Sequence, residues 1–149
     1  TGGRKWGRPY LTRKFFSLVG ERMADRIVLV MAKRAGRYIA GAINFLGSDA
    51  IYGRHWGCVE HHPFLHFEVC YYQAIEEAIA RKHARVEAGA QGEHKLARGY
   101  LPVATYSAHD IAHPGLRRAV ADYLARERIH AAAALDEYGE LTPFRRNSF

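Results

Sequence analysis

The sequence predicts an α+β fold, a mixed β-sheet flanked by helices. Two observations carry that prediction. Three strand-length apolar runs, Ile27 to Ala32, Arg37 to Leu46 and Ala50 to Cys58, follow one another across short turns, which makes an antiparallel meander. A helix-length segment from about Phe64 to Lys82 then leads to another strand, Arg85 to Gln91, and a strand–helix–strand unit of this kind closes as a right-handed crossover. The 149 residues, 48% of them apolar, suit one domain with its own core.

Taken in order, residues 1–9 are rich in Gly and Arg and read as a tail or linker, followed by a domain over 10–138 and a second tail over 139–149. The first helix is expected from Tyr10 to Met23, with Thr12 as N-cap and Phe15, Phe16, Leu18, Val19 and Met23 as its apolar stripe. Lys33-Arg34-Ala35-Gly36 and Gly47-Ser48-Asp49 are the turns of the meander. On the third strand, Ile51, Gly53, His55 and Gly57 alternate with Tyr52, Arg54, Trp56 and Cys58.

Pro63 suits the first turn of the second helix. At 100° per residue, Leu65, Val69, Tyr72, Ile75 and Ile79 share one face, and Glu68 falls among them, with Cys70 opposite. A carboxylate inside an apolar stripe is paired, protonated or turned toward a cavity. Glu68 is therefore either half of a structural ion pair or a cleft residue.

The strand Arg85 to Gln91 carries Glu87, Gly89 and Gln91 on one face, which suits a cleft better than a core. Gly92 ends it. Glu93 to Arg98 then makes one or two helical turns, stopped by Gly99 in a left-handed cap. Glu93, His94, Lys95 and Arg98 thus arrive just past the end of a parallel strand, where open α/β sheets bind ligands. The plain alternative is a solvated, charged turn. A further strand is expected over Val103 to Asp110, and a long final helix from Leu116 to Tyr138, opened by His113-Pro114-Gly115.

The balance of 22 Lys+Arg against 15 Asp+Glu gives a net charge of +7, which attracts anions, but no basic block concentrates it. No apolar run has the length of a membrane span. With two cysteines, Cys58 and Cys70, there is no disulfide framework, and a reducing cytoplasm is the default. His61, His62 and His66 with those cysteines invite a zinc reading, but no Cys-x-x-Cys pair supports it and no bound metal is expected. Trp56, Tyr71, Tyr72, Tyr100 and Tyr106 could stack on bases, although no nucleic-acid motif accompanies them.

Several segments are more specific: Tyr52-Gly53-Arg54-His55-Trp56-Gly57-Cys58, His62-Pro63-Phe64-Leu65-His66-Phe67-Glu68, and the run from Gly89 to Pro102. They resemble a bacterial GNAT/FemAB-like family of peptidoglycan biosynthesis or recognition proteins, from about Trp6 to Tyr138. The element order is similar to the later part of the GNAT acyltransferase fold without its first strand. The resemblance implies the C-terminal lobe of a longer protein, in keeping with a chain that starts Thr1-Gly2-Gly3. It implies an N-acyltransferase moving an acyl or aminoacyl group, from acyl-CoA or aminoacyl-tRNA, to an amine such as that of a cell-wall precursor. Lys95 matches the family lysine that stabilises the oxyanion. Glu68 or His94 is then the base, and Glu87, Gln91, Glu93, Arg98 and Tyr72 position substrate. One departure weighs against acyl-CoA: the loop Val59 to Phe64 has no glycine to cradle a pyrophosphate, and Glu60 would repel one. The rival reading is a non-catalytic module binding peptide, cell-wall precursor or RNA. The missing first strand leaves Ile27 to Ala32 as a bare apolar edge, to be covered by the absent lobe, by a second copy in a homodimer or by the segment Thr1 to Tyr10 folding back.

Overall fold

The structure is a computed structural model that describes residues 11–89 and 92–144, with Glu93 described by its backbone only. It is α+β, with a four-stranded mixed sheet flanked by helices. The chain divides after Ala90 into two compact units.

In the first unit, α1 (Arg13–Arg22) is capped by Thr12, whose hydroxyl accepts from the Phe15 N–H. The sheet comprises β1 (Ile27–Arg34), β2 (Arg37–Leu46), β3 (Ala50–Cys58) and β4 (Arg85–Glu87), in that spatial order. β1, β2 and β3 form the expected antiparallel meander. Its first turn closes on two residues, Ala35 and Gly36, both with positive φ (46° and 80°), the conformation that matches the twist of a tight hairpin. The second turn closes when Gly47 N–H donates to Ala50 O at 2.8 Å.

β4 lies parallel to β3 but pairs with it only through Ala50–Arg85, Ile51–Val86 and Tyr52–Glu87. The strand expected to run on to Gln91 therefore stops early. Gly89 adopts φ of 76°, which takes the backbone out of the extended region; Gln91 itself lies outside the described residues.

Between β3 and β4 the chain forms α2 (Leu65–Phe67), a π-helical turn (Glu68–Tyr72) and α3 (Gln73–Arg81). The expected helix is present, but its phase differs. The buried residues are Val69, Tyr71, Ala74 and Ala78, whereas Tyr72 is 43% exposed and Ile79 72% exposed. A π turn takes an extra residue per turn, so a register set by Leu65 and Val69 does not extrapolate to Tyr72, Ile75 and Ile79. The two alanines, rather than Ile79, are the buried residues of α3. For the same reason Glu68 is exposed, accepting a 2.9 Å hydrogen bond from Gln73 Nε2, and is not the shielded acid that its place in the stripe suggested. Cys70, expected opposite the apolar face, is half buried. Phe64 just before α2 sits in the left-handed region (φ 65°), so the helix starts after it and Pro63 is not in its first turn.

The core of this unit gathers Ile39, Ala40 and Ala42 of β2, Ala50 and Ile51 of β3, and the buried helix residues above. Asn44 is the buried polar exception, and its Nδ2 donates to Val28 O at 3.4 Å.

The second unit holds a 3₁₀ segment (Glu93–Arg98) and α4 (Pro114–Glu140). Gly99 follows the first with φ of 84°, the expected left-handed cap. His113 caps α4 by accepting from the Leu116 N–H through Nδ1 at 3.2 Å. The strand expected over Val103 to Asp110 is absent: the segment is irregular and exposed, Val103 at 72% and Tyr106 at 94%. Its alternation is strand-like, but without a neighbouring ladder an extended segment has nowhere to place its backbone hydrogen bonds except in water.

Candidate functional site

Two irregularities in the sheet create the site. β2 and β3 slip register at Ile43 and Asn44: Ile43 faces His55 and Asn44 faces Gly53, which leaves Arg54 as the extra residue of a β-bulge. Two residues before Arg54, at Tyr52, the pairing of β3 with β4 ends. The strands part there, and a cavity of about 120 Å³ opens between Gly53 and Ala88.

The π turn provides the facing wall. Tyr71 is buried, and Cys70 is half buried beside it; burial pushes the Cys70 thiol up to about 11, so it stays protonated at neutral pH. His66 is held edge-on by three rings: Trp56 at 5.3 Å between centroids, Tyr71 at 5.5 Å and Phe67 at 5.6 Å. On β3, His55 meets Phe16 of α1 edge-on at 5.8 Å. Partial burial, reinforced by the Arg54 guanidinium, lowers the pKa of His55. No carboxylate appears among the described lining residues.

The sequence prediction named Trp56, Tyr71, His66 and Cys70 only for other readings, named Arg54 and His55 only in the strand and the family-like segment, and did not single out Asn44. Asn44 had a legible signal, since it continues the Ala40–Ala42 face of an otherwise apolar strand. The bulge at Arg54 had none, because it is a property of pairing.

The predicted site residues divide between the two units. In the first, Glu68 and Tyr72 sit exposed on the π turn, and Glu87 ends β4, exposed. In the second, the 3₁₀ segment brings His94, Lys95 and Arg98 together. His94 is exposed, and its imidazole packs over Gly92. Arg98 Nη1 donates to His94 O at 2.6 Å and so braces the turn. Lys95 is half buried, and that burial lowers the pKa of its ammonium. Gln91 and the Glu93 side chain lie outside the described residues.

The loop after β3 is organised by Glu60, which accepts from Arg34 Nη1 at 3.2 Å and from His62 Nε2 at 3.1 Å. Both partners lower the Glu60 pKa, the His62 hydrogen bond most. His62 and His66, paired in the zinc reading, have separate surroundings, one on Glu60 and the other among aromatic rings. Among the described residues, no three His, Cys, Asp or Glu side chains converge as a metal site, and no helix is long and apolar enough to cross a membrane.

No curated protein and no solved structure matches the chain. The sequence model of the FemAB-like family, described as peptidoglycan biosynthesis/recognition, matches residues 1–146. With nearly its whole length matched, the chain belongs to the FemAB-like family of peptidoglycan biosynthesis or recognition.

Proposed function

We propose that this chain is the C-terminal lobe of an N-acyltransferase of the GNAT/FemAB type, which joins an acyl or aminoacyl group to the amine of a cell-wall precursor. The observation that carries the reading is the parting of β3 and β4. Parallel strands paired through only three residues, then separated by a bulge and a glycine, leave a built opening in the sheet. An opening of this kind can align two reactants, which is where most of the rate of a two-substrate transfer comes from.

In the reaction, the amine nitrogen attacks the acyl carbonyl carbon. The C–N bond forms, the carbonyl oxygen takes up negative charge, and the bond to the donor's oxygen or sulfur then breaks. Lys95 donates to that oxyanion or to donor phosphates; its partial burial strengthens the interaction, because fewer waters compete for the charge. His94, next to it, is the base that takes the amine proton. Glu68 is the other base candidate, already engaged as acceptor to Gln73 Nε2. Glu87, Gln91, Glu93, Arg98 and Tyr72 position substrate. Aminoacyl-tRNA is favoured over acyl-CoA as donor, since Glu60 and its partners fill the loop that a CoA pyrophosphate would need.

The Glu60 arrangement also favours a second reading, a recognition lobe that holds precursor without transfer. Single-turnover assays on the full-length protein separate the two. Transfer from aminoacyl-tRNA, with none from acyl-CoA, is the expected result. Precursor binding without transfer from either donor supports the recognition reading.

A further inference from the structure

One end of the sheet in the first unit combines positive charge with bare apolar surface. The hairpin between β1 and β2 presents Lys33, Arg34 and Arg37, all exposed, and Tyr38 beside them is 62% exposed. β3 runs out at the same end: the Val59 N–H donates to Ile39 O at 2.8 Å, and Arg34 Nη1 donates to Glu60 Oε2 at 3.2 Å. The chain past β3 therefore lies against the hairpin, and His62, shortly before Phe64, is tied to the same Glu60 at 3.1 Å. This segment adds Val59 and Phe64, each 77% exposed. Phe64 holds φ of 65°, a region in which a bulky residue is a genuine outlier, and such outliers cluster at functional positions. Glu60 is the one acid of the group, and neither Lys33 nor Arg37 has an acidic partner among the described residues.

We propose that this end of the sheet docks on an anionic membrane surface, holding the protein at the bilayer without spanning it. A lipid interface asks for two things together: cations within reach of anionic headgroups, and a few apolar side chains that enter between them. Lys33, Arg34 and Arg37 supply the first; Val59, Phe64 and Tyr38 supply the second. A protein partner fits the combination less well, since lysine is depleted from the cores of protein interfaces. RNA would use the cations but has no use for Val59. The Tyr38 ring, which could stack on a base, already has the Lys33 ammonium 5.4 Å from its centroid. The proposal is independent of whether the chain transfers an acyl group.

Vesicle flotation of the full-length protein tests it, with vesicles of phosphatidylcholine alone, vesicles of equal parts phosphatidylcholine and phosphatidylglycerol, and bulk transfer RNA as competitor. The protein is expected to float with the anionic vesicles and not with the neutral ones, and to bind more weakly as salt screens the charges. Lys33→Ala combined with Arg37→Ala should weaken binding to anionic vesicles by roughly tenfold or more, each cation near the surface contributing about a factor of five. Phe64→Asn should weaken it by roughly tenfold through lost apolar burial. Asparagine accepts the left-handed backbone, so this variant keeps the turn, and an unchanged melting temperature checks that it does. Val59→Ser repeats the apolar test away from that turn and should cost several-fold. No flotation with anionic vesicles overturns the proposal. So do equal flotation with both vesicle types, wild-type binding by the Lys33/Arg37 double variant, and wild-type binding by both apolar variants. Transfer RNA that displaces the vesicles, and that Phe64→Asn binds as the wild type does, assigns the surface to nucleic acid and overturns it too.

Discussion

At the scale of single residues, partial burial and hydrogen-bond partners shift the protonation of individual groups. Lys95 gives up its proton at a lower pH than a free lysine, because its half-buried setting disfavours the charged form. If the ammonium stabilises the oxyanion, the transfer rate falls as pH rises, and it does so below the ordinary lysine range. Lys95→Arg, charged at every accessible pH, should remove that alkaline limb from the pH–rate profile even if it lowers the maximum. Cys70 makes a second test. With a pKa of about 11, its thiolate fraction at pH 8 is on the order of one in a thousand. Mass-spectrometric mapping of iodoacetamide labelling should find Cys70 nearly unmodified at pH 8 and labelled rapidly as pH approaches 11. Glu60 behaves oppositely to a buried acid: its partners lower its pKa, so its contribution to stability is present above the ordinary glutamate pKa and is lost as pH falls through the lowered one. The stability difference between the wild type and Glu60→Gln, from urea melts, should therefore shrink toward zero in acid.

At the scale of elements, the meander was legible because its signals are local. Alternation, turn residues and the Gly36 and Gly47 positions each point to the same hairpins. The Thr12 cap and the Gly99 stop were legible for the same reason. What was not legible depends on partners. Val103 to Asp110 has a strand's alternation but no described neighbour to pair with, and β4 stops at Glu87 although its pattern runs on. The helix phase failed at the π turn, where one extra residue moved Glu68 and Ile79 outward and Ala74 and Ala78 inward. That correction is testable by a pair of substitutions. Ala74→Leu forces extra carbons into a site only 1% exposed and should cost about 1–3 kcal/mol. Ile79→Lys, at a site 72% exposed, should change stability by no more than about 0.5 kcal/mol. Denaturant melts with the two results interchanged would restore the phase read from the sequence.

At the scale of the whole molecule, one of the two candidate clusters was legible. His94, Lys95 and Arg98 stand out because charge gathers after a strand and before a glycine cap. Arg54, His55 and Asn44 do not, because only the register slip and the parting of β3 from β4 bring them to one cavity. Membership of the FemAB-like family fixes the setting as peptidoglycan biosynthesis or recognition. On the proposed reading, the choice between those two turns on whether Lys95 acts on a transition state. The measurement that decides it is the single-turnover rate of aminoacyl transfer by the full-length protein, wild type against Lys95→Met, with precursor binding measured alongside. A transferase using Lys95 for the oxyanion should lose about 10²–10³-fold in rate, the usual cost of one such donor, with precursor affinity unchanged. An unchanged rate, or a loss of affinity that accounts for the whole effect, would contradict the account.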